Sequence, residues 1–159
     1  MTIDDIILAR AIHVLALVHW IGGVAFVTTI VLPNARRLPD AKDALAAFAA
    51  FEGRFAPQAR ISIFFAGVSG LYMLIRLYPS DRLLSLSSWW LHLMIAVWLV
   101  FALMVYVLEP LGIERAFADF ARRDKDRAFA AMTYAHAAAL LVAAFAIGAG
   151  VFGAHGALP

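Results

Sequence analysis

Histidine is the residue type in this chain best suited to chemistry. Of its five histidines, His13 and His19 lie in the first apolar stretch, His92 in the third and His136 in the last. An imidazole in hydrocarbon needs a partner, so each is a candidate functional residue if these stretches cross a membrane. The partner that best suits several such imidazoles is a metal, above all heme iron, to which they would be axial ligands. The chain has no cysteine. That excludes disulfides, thiolate-held zinc, iron–sulfur clusters and covalent heme attachment through C-x-x-C-H, so any heme is held non-covalently.

Composition says what must position these side chains. The 159 residues are 64% hydrophobic and 15% charged, with a mean hydropathy of +0.86, against roughly 25% charge in an ordinary soluble domain. The apolar residues fall into four blocks, about 6–32, 57–78, 89–108 and 128–152. Each is about 20 residues or longer, enough to cross a hydrocarbon core of about 30 Å as a helix. The expected fold is therefore all-α, an integral membrane four-helix bundle forming one domain over 1–159. The first block follows Asp4 and Asp5 and lacks both a basic leader and a small-residue cleavage pattern, so it reads as a retained span.

Lysine and arginine set the expected orientation. Arg36, Arg37, Lys42, Arg54 and Arg60 fall around the first connection, and Arg115, Arg122, Arg123, Lys125 and Arg127 in the third. The other side has Arg10, Arg82 and Arg76. By the positive-inside rule the two long connections are cytoplasmic and both termini lie on the outer, periplasmic side of a bacterial inner membrane. The net charge of +2 then reflects topology, with no nucleic-acid patch.

Local signals mark the boundaries. Pro33 and Pro39 are expected to end the first span, and Pro57 to open the second, where a missing N–H costs little. Ser87 or Ser88 can cap the third, Glu109-Pro110 stops it, and Asp126 can cap the fourth. Leu45, Phe48, Phe51 and Phe55 recur every three or four positions, which predicts a short amphipathic helix on the cytoplasmic surface. Small residues crowd the fourth span, and Gly22, Gly23, Gly67 and Gly70 mark the first two. They allow close helix packing, and they would also leave room for a macrocycle.

Depth separates the histidines. At 1.5 Å per residue His13 lies about 10 Å below the outer surface, His92 about 5 Å below it, and His136 roughly 12 Å from the cytoplasmic surface. His13 and His92 thus share the outer leaflet and form the simplest bis-imidazole pair. His19, near the midplane, and His136 are a second candidate pair. On the first helix His19 is turned about 120° from the stripe of His13, Leu17, Trp20, Val24 and Val27. One heme is the expectation, with a second site open.

The polar neighbours have two readings each. Arg10 near the outer end and Arg60 near the inner end of their spans can pair heme propionates or snorkel to headgroups. Trp20, Trp89 and Trp90 can stack near a porphyrin, although Trp89 and Trp90 also suit an interfacial belt. Ser62, Ser69, Thr28, Thr29 and Thr133 are available to bond histidines across helices, a structural role worth about 0.6 kcal/mol each. His155 lies beyond the last span. Met73, Met94, Met104 and Met132 could serve copper but form no close M-x-M pair. No carboxylate lies deep within a span to relay protons.

The stretch His13-Val-Leu-Ala-Leu-Val-His19-Trp20-Ile-Gly22-Gly23 resembles, in its H-x6-W-x-G-G pattern, the first helix of small four-helix membrane proteins grouped with HemJ-type protoporphyrinogen oxidases and the CopD membrane domain. Glu52-Gly-Arg54-Phe55 and Gly70-Leu71-Tyr72-Met73-Leu74 resemble the E-x-R-L and G-L-W-M-L elements around the second helix of the HemJ type, and Trp90-Leu91-His92 the W-L-H of its third. The resemblance runs along the chain in order. It implies heme b, with His13 as a ligand and the His92 segment near the site. Met94 stands where the HemJ type usually has lysine, and Tyr134-x-His136 is not typical of its fourth helix, so heme binding carries over better than the oxidase reaction.

The functional expectation is a heme b protein that transfers electrons, with His13, His92, His19 and His136 as candidate iron ligands, supported by Trp20 and Arg10. The expected partners are the lipid bilayer, a quinol or porphyrinogen, and a second copy in a homo-oligomer. HemJ-like protoporphyrinogen oxidation, CopD-like copper binding or transport, and a structural membrane subunit are the alternatives.

Overall fold

The computed structural model describes residues 3–79 and 85–156; Arg82 lies outside them. Those residues form helices and turns, with no strand among them. α1 spans Ile3–Phe26 and runs through a wider π turn, Val27–Val31, into the short α2, Leu32–Arg36. α3 spans Ala41–Leu77, α4 Trp89–Leu103 with a second π turn at Met104–Leu108, α5 Ile113–Arg123 and α6 Lys125–Ala154. Four helical stretches are long and apolar enough to cross a membrane: Asp5–Arg36, Ala41–Leu77, Leu86–Leu108 and Lys125–Ala154.

The helix starts have local causes. The Asp40 carboxylate accepts from the Asp43 backbone N–H at 2.8 Å and opens α3. Asp124 does the same for α6, accepting from Arg127 N–H at 3.0 Å, so the fourth span is capped two residues before Asp126. Each satisfies an N–H that the first helical turn would otherwise leave unpaired. Gly112, at φ +91°, makes the left-handed turn into α5 that a side chain would strain.

The prolines behave differently from a plain reading of breakers. Pro33 does not end the first span; the helix continues through it to Arg36. The N–H of Leu32 reaches back five residues to Val27 O, and that of Glu109 to Met104 O, each just before a proline. A proline ring collides with the carbonyl four residues back, and a widened turn relieves the collision without breaking the helix. Pro57 sits inside α3, so the amphipathic segment that begins at Ala41 and the second span are one helix. At 1.5 Å per residue its 37 residues measure about 55 Å, well over a hydrocarbon core of about 30 Å. The part before Pro57, with Lys42, Asp43, Glu52 and Arg54, is the polar extension of this helix.

Side chains pack in three layers along the bundle. At the basic end Leu32, Ala35, Ala44, Phe48, Ala121, Ala128 and Phe129 are buried together, and Phe117 of α5 packs edge-on to Phe129 at 5.3 Å. The middle layer holds Ala16, Trp20, Val24, Ile63 and Ala66. At the opposite end Trp90, Leu91 and Ala149 meet Leu74 and Tyr78. α5 was not foreseen. Its Ile113, Phe117, Phe120 and Ala121 carry a helical spacing within what reads as a charged connection.

Candidate functional site

α1 and α3 run antiparallel with the most extensive contact in the bundle, and the two histidines of α1 both turn toward α3. The register can be followed pair by pair: His13 lies against Ala66 and Ser69, His19 against Ser62, Gly23 against Phe55, and Phe26 against Phe51 at 5.4 Å.

His13 Nδ1 is 2.9 Å from the Ala66 carbonyl and 3.2 Å from Ser69 Oγ. A carbonyl only accepts, so Nδ1 carries the proton and Nε2 holds the lone pair. The Ser69 hydroxyl donates to Phe65 O at 2.5 Å, which leaves its oxygen lone pairs toward the imidazole. Gly70 completes the seat: a Cβ there would stand 3.0 Å from His13 Cε1. The ring is thus held in one tautomer and one orientation. That is the outer arrangement by which proteins orient an imidazole for metal ligation through its other nitrogen.

His19 Nδ1 bonds Ser62 Oγ at 2.8 Å, and its ring lies 6.2 Å from that of Phe55. His136 turns to its own helix, with Nδ1 donating to Met132 O at 3.0 Å. By the same argument as for His13, its Nε2 is the lone-pair nitrogen. His92 lies exposed in the first turn of α4, beside buried Trp90 and Leu91. His155 is exposed and bonds Val151 O one turn back. Among the described residues no three or more His, Asp or Glu side chains gather as a metal-ion site. Heme iron brings four porphyrin nitrogens and asks the protein for one or two, so the His13 donor chemistry fits it.

Trp20 is buried in the middle layer, 4.7 Å edge-to-face from Phe101 of α4, which is a packing role. Arg10 is exposed and makes no ion pair among the described residues. Several glycine notches are filled, while Gly22 faces open space. The Trp98 indole occupies the place of a Gly67 Cβ and donates from Nε1 to Ile63 O at 2.9 Å, Phe55 fills the notch at Gly23, and Met94 the one at Gly150. These three glycines therefore seat large neighbours, the packing role of small residues. Of the hydroxyls, Ser62 and Ser69 meet histidines, whereas Thr28, Thr29 and Thr133 bond carbonyls of their own turns.

One further polar group lies at the basic end. Arg60 reaches Glu109, just beyond the third span, at 2.5 Å, and Tyr106 donates to Arg60 O at 2.6 Å. Burial pushes the Glu109 carboxyl above its usual range against the pull of Arg60, and Glu114 adds in the same direction. Arg60 is thus committed to a carboxylate of the chain itself. In the sequence the partner was hidden in a Glu-Pro that reads as a helix stop.

Protein-family models, curated proteins and solved structures yield no match to this chain.

Proposed function

We propose that the chain is an integral membrane heme b protein of a bacterial inner membrane, with both termini on the outer side, that carries electrons between a membrane quinol or porphyrinogen and an acceptor. The observation that supports it most is the seat of His13: a protonated Nδ1 fixed on the Ala66 carbonyl, a ring edge close against Gly70, and Nε2 left with its lone pair. His92 is the proposed second ligand, matching the resembled third-helix motif, and His19 and His136 the candidates for a second site.

When bound, heme supplies one-electron transfer at a potential set by its axial ligands and surroundings. The chain's own residues do the rest. Ala66 and Ser69 hold the imidazole, α1 and α3 fix its height in the membrane, and the apolar spans exclude water. Protoporphyrinogen oxidation and copper handling remain the alternative reactions.

A second reading has its own observation. Both histidines of α1 spend Nδ1 on α3, as interhelical ties would. The two are separated by expressing the chain with ample heme and comparing His13→Ala with the double variant S62A/S69A. Heme ligation predicts that His13→Ala loses bound heme while the serine variant keeps it. A purely structural role predicts no heme in the wild type and a similar loss of stability in both.

A further inference from the structure

A cleft of about 410 Å³ opens at the basic end between α2 and α6, lined by Pro33, Arg36, Arg37, Asp126 and Thr133. Its charges do not balance. Arg36 makes a loose 3.5 Å pair with Asp126, both side chains well exposed, and Arg37 has no carboxylate within ion-pair distance among the described residues. Two guanidiniums against one carboxylate leave the lining with a positive charge in excess.

The lining also has a gradient along the membrane normal. The arginines stand at the end of α2, where the first span emerges. Thr133 is eight residues into α6, about 12 Å below its start. Beyond the lining, exposed side chains on the same two spans at the deeper level are Ile30, in the π turn before α2, and Tyr134, next to Thr133 on α6. Thr133 donates its hydroxyl hydrogen to Phe129 O at 2.8 Å and so presents no donor to the cleft. The charge excess favours an anionic group at the top, and the exposed Ile30 and Tyr134 side chains nearby favour an apolar part below. A soluble anion satisfies only the first requirement.

We propose that this cleft binds one anionic phospholipid, its phosphate paired by Arg36 and Arg37 and its acyl chains running down the groove between the first and fourth spans. Guanidinium presents paired donors that match phosphate oxygens. Basic pockets between spans on the cytoplasmic side suit such headgroups, and the volume is within the range of small-ligand sites. Asp126 competes with the phosphate for Arg36, so it sets the affinity from within the site. The proposal is independent of heme, since the cleft contains no histidine.

The test uses the full chain in a neutral detergent, with phosphatidylglycerol and phosphatidylcholine of equal chain length as probes and native mass spectrometry as the readout. One phosphatidylglycerol should be retained per chain in preference to phosphatidylcholine. The preference should fall by about fivefold for each of R36Q and R37Q, and D126N, which removes the competing carboxylate, should raise it. The gain in D126N keeps the test decisive if an arginine variant folds poorly. Equal retention of the two lipids, full displacement by millimolar inorganic phosphate, or a preference unmoved by D126N overturns the proposal.

Discussion

Alanine in place of three glycines should separate real interhelical notches from open positions. A Cβ at Gly22 meets nothing within 4 Å, at Gly70 it would stand 3.0 Å from His13 Cε1, and at Gly67 it would stand 2.4 Å from Trp98 Cζ2. In each helix alanine gains about 1 kcal/mol of propensity over glycine. At Gly67 that gain meets a collision with a six-membered ring. Overpacking of this kind costs about 1–3 kcal/mol, and moving the indole gives up its Nε1 bond to Ile63 O, worth about 0.6 kcal/mol. G67A should therefore be less stable than G22A by about 1.5–3.5 kcal/mol, the sum of the overpacking and hydrogen-bond terms. At Gly70 the neighbour is the tip of one side chain, so G70A should change stability by less than about 0.5 kcal/mol while displacing His13. The assay is unfolding by sodium dodecyl sulfate in mixed micelles, followed by circular dichroism. Equal stability of G67A and G22A would refute the packing of α3 on α4 through Trp98.

The Arg60–Glu109 pair should be asymmetric. The Glu109 side chain is 15% exposed and that of Arg60 40%. Arg60→Met leaves a mostly buried carboxylate without its cation and should cost about 1–3 kcal/mol, whereas Glu109→Gln leaves a partly solvated arginine and should cost under about 1 kcal/mol; the same micelle titration reads both. Because burial raises the Glu109 carboxyl above its ordinary 4.5, its contribution to stability is fully present below that value and is lost as pH rises through the raised folded value. Stability measured across that window should fall with pH in the wild type and flatten in E109Q. S62A and S69A should each cost about 0.6 kcal/mol, and in the heme-loaded protein S69A should shift the reduction midpoint more than S62A does, because Ser69 contacts the His13 ring.

Much of the fold was legible because hydrocarbon imposes few choices. Four apolar blocks can cross a bilayer only as helices, and the structure has four helices of the required length and character. The boundaries were less legible, for reasons visible at particular residues. Pro33 and Pro57 lie inside continuous helices because a widened turn removes one collision and because a lone proline does not outweigh packing on both sides. α5 is hard to see because its apolar stripe of Ile113, Phe117 and Phe120 lies among charges that carry the topology signal. At the site, the sequence named Ser62 and Ser69 as available partners, and both meet histidines. It could not name Ala66, since any residue has a carbonyl and only the helix register selects one. Nor could it separate the two meanings of a small residue; Trp98, Phe55 and Met94 seated on glycines did that.

The central claim is that His13 holds heme iron. Its most direct measurement is the absorption spectrum of the full chain, expressed with ample heme and purified, recorded oxidised and after dithionite. Ligation by His13 predicts a Soret band that sharpens and shifts on reduction with resolved α and β bands, and its loss in H13A. A wild-type protein without a Soret band, or an H13A spectrum identical to that of the wild type, would rule out His13 as the iron ligand.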